Sequence, residues 1–410
     1  MSSTSVLQHL LLAVVCAEVS LAVVRNSQQV IEQRRSSNQQ QYQDGGSSDQ
    51  FQRRENGCRG DLKRKTDTCS CSTVSLTCIN AQFTDTDAFL TVSDAHFHFL
   101  EEITFHGNNF GELPRSLFGP AVAHNKLHFL NLSANYIVKV NASTFTGIPN
   151  LRTLDLSYNE LSLREEDLEL FVTVPKLEKL YLKKAFRLPS GRGSQLQPDE
   201  GNNRTAAASQ QLTQLLLLEK LFLAAKLHRL RLLDLTWNFL DEMPPRFVCA
   251  LPGLRSLDLA HNFFSSLSLD PACLVHLSSL RLVANNFHYL DLNFRRTASG
   301  LPKFSLQLRR NPFYCHCESR AYLQWLQRTQ QIQDRDQLKC YKASPPRFQH
   351  APLHNVSVTE LDCAQVLDDA VRSSPLLILI TTSIMMIFCA VPPRFWLPVP
   401  PAFLSFVSTP

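Results

Sequence analysis

Leu230-Arg231-Leu232-Leu233-Asp234-Leu235-Thr236-Trp237-Asn238 and, one period on, Leu254-Arg255-Ser256-Leu257-Asp258-Leu259-Ala260-His261-Asn262 decide the fold of this chain. Both read LxxLxLxxN. The spacing recurs as Leu127, Leu130, Leu132, Asn135; as Leu151, Leu154, Leu156, Asn159; and as Leu277, Leu280, Leu282, Asn285. Two looser copies are Leu100, Ile103, Phe105, Asn108 and Leu177, Leu180, Leu182, with Ala185 in the Asn place. A period of about 24 residues with this signature specifies an α/β leucine-rich repeat solenoid. Each copy is a short strand that buries alternate leucines, then a turn whose unpaired backbone groups the Asn side chain can satisfy. One coil cannot cover its own apolar face, so neighbours supply the core and both ends need caps.

Cysteines supply the caps. Cys58, Cys69, Cys71 and Cys78 precede the first repeat; Cys315, Cys317, Cys340 and Cys363 follow the last, opening with Asn311-Pro312-Phe313-Tyr314-Cys315-His316-Cys317. Clusters containing CxC are also compatible with zinc. Against zinc stands the apolar run Leu7 to Val24, which reads as a secretory signal cleaved near Ser20-Leu21-Ala22 or Val15-Cys16-Ala17. Export places the chain in an oxidising compartment, where disulfides form. Cys249 and Cys273 lie at equivalent places after Asn238 and Asn262, so they are near neighbours in adjacent coils. A disulfide and two buried thiols both fit them.

The expected organisation is a signal peptide over 1–22, a disordered Gln/Ser/Arg-rich stalk over 23–57, a cap over 58–80, repeats over 81–310, and a cap over 311–363. A juxtamembrane segment follows at 364–375. Residues 376–391 carry no charge and form the core of one transmembrane helix. That core is shorter than the roughly 20 residues of a full span. Extension to 397, with Arg394 snorkelling and Trp396 at the interface, completes it. Residues 398–410 are a short tail. A lipid anchor would need a polar spacer that is nearly absent. The signal orients the N-terminus outside, which makes this a single-pass plasma-membrane protein. Gly, Ser, Asn and Gln between about 186 and 211 read as a surface loop, and the leucine-dense stretch from Leu212 to Leu230 as a helix on the outer side. Sequons at Asn131, Asn141, Asn203 and Asn355 mark a glycoprotein.

A net charge of +5 over 410 residues is too small and dispersed for nucleic acid. No catalytic motif, phosphate loop or metal-binding spacing is present, so neither enzyme activity, cofactor nor small-molecule substrate is expected. His96 and His98 alternate with Phe97 and Phe99, which reads as a strand with buried rings and exposed histidines.

The repeat block split by a sequon-bearing insertion, the run LLDLTWNFLDEMPPRFVCALPGLRSLDLAHNFF over 232–264, the cap NPFYCHC with AYLQWL behind it, and the apolar run after Leu361-Asp362-Cys363 resemble the trophoblast glycoprotein family. The similarity runs from about Cys58 to Val391. It implies a single-pass cell-surface glycoprotein that inhibits Wnt/β-catenin signalling and affects adhesion, with a Wnt receptor complex as partner. The alternative class is an adhesion or recognition ectodomain that binds a protein on another cell or a secreted ligand. The resemblance also implies crossed cap disulfides: Cys58 with Cys71, Cys69 with Cys78, Cys315 with Cys340, Cys317 with Cys363. The chain departs from the family in the ten residues between Cys58 and Cys69 and in a tail without the family's basic segment.

Repeat proteins of this kind bind partners on the concave sheet face. Outward strand positions give one column of Asp155, Asp234 and Asp258 and another of Tyr158, Trp237 and His261. The aspartates are expected to pair with Arg152, Arg231 and Arg255, while exposed aromatics are common interface anchors. Asn131, between two buried leucines, points to the same face. Lys176, Lys179, Lys183, Lys184 and Arg187 add a basic midsection that suits an acidic partner or plain solvation.

Overall fold

The computed structural model describes residues 57–363 apart from 66, 93–96, 121–122, 188–199 and 302, with backbone alone for 200–209. The repeats build one ten-stranded sheet. β1 (Cys69–Cys71) pairs antiparallel with β2 (Ser75–Ile79). From β2 onward each pairing is parallel, through β3 (Glu102–His106), β4 (Phe129–Asn131), β5 (Thr153–Asp155), β6 (Lys179–Tyr181), β7 (Leu232–Asp234), β8 (Ser256–Asp258), β9 (Ser279–Arg281) and β10 (Ser305–Gln307). In register, Leu76, Ile103, Leu130, Leu154, Leu180, Leu233, Leu257, Leu280 and Leu306 form a single buried row. Each full burial of such a side chain stabilises by about 1.5 to 3 kcal/mol, and the row continues from coil to coil. β10 is a repeat strand that the spacing rule misses, because Lys303 occupies the first leucine place while Leu306, Leu308 and Asn311 keep theirs.

The repeat asparagines form a ladder along the strand ends. Oδ1 of Asn262 accepts from the amides of Asn238 (2.9 Å) and Leu240 (3.1 Å), and its Nδ2 donates to the carbonyls of Leu235 and Leu259 (3.0 Å each). Asn135, Asn159, Asn238, Asn285 and Asn311 likewise donate to the preceding coil. Buried turn amides that would otherwise lose water thereby gain partners. Ala185 breaks the motif without breaking the ladder, since Oδ1 of Asn238 accepts from its amide at 2.9 Å. At the far end Asp334 takes over. Its carboxylate accepts from the amides of Leu308 and Arg309 and closes the sheet.

Between β6 and β7 the chain inserts α1 (Glu200–Ala225). The expected loop over 186–211 is therefore too long, because helix begins at Glu200, where Ala206-Ala207-Ala208 and the following glutamines favour it. The helix expected to run from Leu212 to Leu230 ends at Ala225. Lys226 adopts φ of 49°, a left-handed stop, and Leu227 and Leu230 return to the repeat core. Phe222 of α1 lies between Phe171 (6.1 Å) and Phe247 (5.9 Å) of the coils on either side. Gln214 bonds both backbone groups of Leu163, so the insertion is bolted down by polar contacts too.

Five disulfides hold the coils. Cys58 bonds Cys71, and Cys69 bonds Cys78 across the β1/β2 register. Cys315 bonds Cys340, and Cys317 bonds Cys363, around α3 (Arg320–Arg328), which buries Tyr322, Leu323 and Leu326. Cys249 bonds Cys273 and staples two adjacent coils outside the sheet. Among the described residues, the single group of three metal-type donors is Cys249, Asp270 and Cys273. Its sulfurs are bonded to each other, and Asp270 Oδ1 accepts from the Ala272 amide, so it holds a turn.

Residues 97–99 form a turn rather than the expected strand. Phe97 is buried, but Phe99 is exposed with Lys126 4.8 Å above its ring, which corrects the expectation of two buried rings. His98 stands edge-on to His124 at 5.8 Å, and His96 lies outside the described residues. Among the described residues no helix is long and apolar enough to cross a membrane. The signal, stalk, span and tail expectations all fall outside them, as does the loop at 188–199.

Candidate partner-binding surface

Two rows of side chains run along the sheet and its edge. The first lies on the strands themselves: Thr104, Asn131, Asp155, Tyr181, Asp234, Asp258, Arg281 and Gln307 are successive register partners. All are half-buried. The aspartates do not pair with Arg152, Arg231 and Arg255 as expected. Each closes its own turn instead: Asp155 accepts from the Ser157 amide, Asp234 from Thr236 and Asp258 from Ala260, at 2.8 to 3.1 Å. Asn131 does the same for Ser133. An Asx turn at the strand end is what directs the chain out of the sheet. Arg152 sits 3.6 Å from Glu178, and Asp258 meets Arg281 at 2.5 Å from the neighbouring coil. Burial raises the Asp258 carboxyl above its usual range even so, the Ala260 amide and Arg281 offsetting only part of the lost hydration. Burial likewise raises the Tyr181 phenol, with the flanking Asp155 and Asp234 adding to it.

The second row is the turn edge immediately before each repeat Asn. Tyr158, Trp237 and His261 belong here, and so are not strand positions as expected. Their φ values are 57°, 62° and 57°. The same left-handed conformation recurs at Gly107, Ala134, Lys184, Ala284 and Arg310, so the turn imposes it on whatever residue precedes the Asn place, Ala185 included. A side chain there sits at a conformational cost of roughly 1 kcal/mol and projects away from the core. Trp237 and Tyr158 are each 46% exposed. Trp237 stacks face to face on His261 at 4.1 Å, and Lys183 lies 5.2 Å over Tyr158. Next door, Phe239 and Phe263 are exposed and 5.8 Å apart, and Tyr136 is exposed too. These three follow the repeat Asn directly. The sequence carries that signal, an aromatic directly after Asn in three copies.

Basic side chains gather at the His261 end of the ridge. His261 is held below the usual histidine range first by burial, then by Arg310, Lys183, Arg281 and Arg309. The ridge therefore offers aromatic faces with a cationic rim at its His261 end. Of the sequons, Asn131 points onto the sheet face with its Oδ1 engaged. Asn141 spends its Nδ2 on the Leu113 carbonyl and the Glu112 carboxylate, and Asn355 is exposed. Asn203 carries no side-chain description.

A leucine rich repeat family model matches residues 125–184. Trophoblast glycoprotein of Macaca fascicularis is 28% identical over 314 residues, 75% of this chain and 69% of that protein. The human protein is also 28% identical, over 318 residues, with the same coverage. The crystal structure of human trophoblast glycoprotein, also called Wnt-activated inhibitory factor 1, superposes with a TM-score of 0.58 at 28% identity, over 72% of this chain and 98% of that one. The chain is thus similar to trophoblast glycoprotein in sequence and in fold. The likeness extends over nearly the whole of the human structure and far beyond the residues that the repeat model matches.

Proposed function

We propose that this chain is a single-pass cell-surface glycoprotein whose ectodomain binds a protein of the Wnt receptor machinery in the same membrane and thereby restrains β-catenin signalling. The similarity to human trophoblast glycoprotein, a protein also named Wnt-activated inhibitory factor 1, carries this reading. The contact is the ridge of Trp237, His261, Phe239 and Phe263 with its cationic rim, and the partner presents acidic and apolar groups. Exposed aromatics that fold stability does not require are interface anchors. A glycan on Asn131 screens the N-terminal part of the sheet face and leaves the part from Asp234 to Gln307 open, which favours the C-terminal half. The activity proposed for this ridge is binding.

The test is a β-catenin reporter in Wnt-stimulated cells that display the full chain at verified surface levels. The expected result is lowered reporter activity that Trp237→Ala relieves and that deletion of 398–410 leaves intact. An unchanged reporter, with partners captured by proximity labelling only across cell contacts, would replace this reading with that of an adhesion ectodomain.

A further inference from the structure

One part of the solenoid core is open. In the coils at Leu151, Leu154, Leu177, Leu180, Leu230 and Leu233 the inward side chains are sealed from solvent, at 0% exposure. In the last full coil the corresponding Leu277 and Leu280, with Phe294, Leu301 and Phe304 beyond them, keep 3 to 8%. They line a cavity of about 460 Å³ between the turn Pro271–Cys273 and α2 (Leu292–Gly300). Two glycines show the same contrast. A Cβ on Gly253, two coils earlier, would meet the His228 carbonyl at 2.2 Å, whereas a Cβ on Gly300 meets nothing within 4 Å. Polar groups are confined to Ser268, Asn293, Arg296 and Thr297. Among the described residues the exposed Arg296 guanidinium has no ion pair or hydrogen bond, while that of its neighbour Arg295 is tied to the carbonyls of Leu290, Asp291 and Ala321.

From these observations we propose that the cavity binds the acyl chain of a free fatty acid, with the carboxylate at Arg296. The volume lies within the roughly 300 to 1,000 Å³ of small-molecule sites. Walls of leucine and phenylalanine offer water no hydrogen bonds, so an apolar chain displaces little that is favourable. A single unpaired guanidinium at the rim selects an anionic head over a neutral or zwitterionic one, because it is a fixed charge with donors suited to a carboxylate. The site touches the sheet only through the inward Leu280, shares no residue with the aromatic ridge, and does not depend on the partner-binding reading.

The full chain on intact cells is labelled with a diazirine-bearing dodecanoate, photolysed and mapped by peptide mass spectrometry. Label should fall in residues 267–280 and 293–304. Competition by unlabelled acids should strengthen about fourfold per methylene from octanoate to dodecanoate, the free energy of burying one methylene expressed as affinity. Ala298→Trp, which fills the cavity, should cut labelling at least tenfold; if that variant does not reach the surface, Gly300→Phe serves in its place. Arg296→Glu should weaken labelling by the acid and spare the methyl ester. Label spread over the solenoid, or label in the cavity that neither filling variant reduces, would overturn the site. Labelling by the matching phosphatidylcholine ester but not by the free acid would overturn the assignment of the ligand.

Discussion

Trp237 and Asn238 are adjacent in the chain and opposite in what governs them. Asn238 is 2% exposed, accepts from the amides of its neighbours and donates to the Leu182 carbonyl; Trp237 is 46% exposed and lies in the left-handed region. The ladder dictates the identity of one residue and the turn the backbone of the other. Only the side chain of the second is left free, and the repeats spend that freedom differently: alanine at 134 and 284, lysine at 184, arginine at 310, and aromatics at 158 and 237. Positions where the fold is indifferent are where a binding surface can be written at little expense in stability.

The sharpest way to probe this contrast is to cut the ladder. Asn262→Ala strands the amides of Asn238 and Leu240 and the carbonyl of Leu235, while Leu259 keeps its bond from Asn285, so a loss of about 3 kcal/mol or more is expected in denaturant unfolding. A loss under about 1 kcal/mol would mean that water replaces the side chain and that the ladder is not what holds the coils.

The inter-coil staple comes next. Replacing Cys249 and Cys273 with serine should lower stability by about 3 kcal/mol through a freer unfolded chain, with reporter inhibition retained at equal surface levels. Loss of inhibition at full surface expression would place this region, and not only the ridge, in the contact.

The ridge itself should behave in the reverse sense. Trp237→Ala is expected to shift stability by no more than about 0.5 kcal/mol yet weaken partner binding by about 2 kcal/mol. Trp237→Gly should be slightly more stable than the alanine variant, by up to about 1 kcal/mol, because glycine accepts φ of 62° without strain. Measured destabilisation in both variants, with binding intact, would invert the comparison.

The smallest expected effect is in pH dependence. His124 is fully buried; burial, then the nearby His98, lowers its basicity, and the Phe97 backbone only partly opposes this. An unfolded histidine takes up a proton near pH 6.5, whereas the folded one resists until lower pH. Between those points the unfolded state binds more protons, so stability falls as pH drops below about 6.5 and is fully retained above it. His124→Phe should flatten that slope in unfolding measured from pH 7.5 to 5.5. A slope that stays the same would assign the acid sensitivity to other groups.

Much of the architecture was legible in the chain because it repeats. Leucines at fixed offsets and an Asn three places after the last of them define strand, burial and turn locally, and stacking follows because one coil cannot cover its own apolar face. The pattern places Asn131 beside two buried leucines and Asn238 in the ladder before any coordinate is known. Lys303 shows the limit, since a single substitution at the first place hid the strand at Leu306. What the linear pattern could not supply was anything set between coils. Asp258 meets Arg281 rather than Arg255, because its outward side chain faces the next strand while its own turn takes the other oxygen. The seating of α1 on the coils depends on Phe171 and Phe247 closing around Phe222, contacts far apart in sequence. The left-handed backbone under Tyr158, Trp237 and His261, and the open core beside Gly300, likewise exist only after stacking. Sequence thus determined the repeating unit through local burial and hydrogen-bond demand. Tertiary structure decided which side chains of neighbouring units meet and which are left facing solvent, since those distances are fixed by packing one coil on the next.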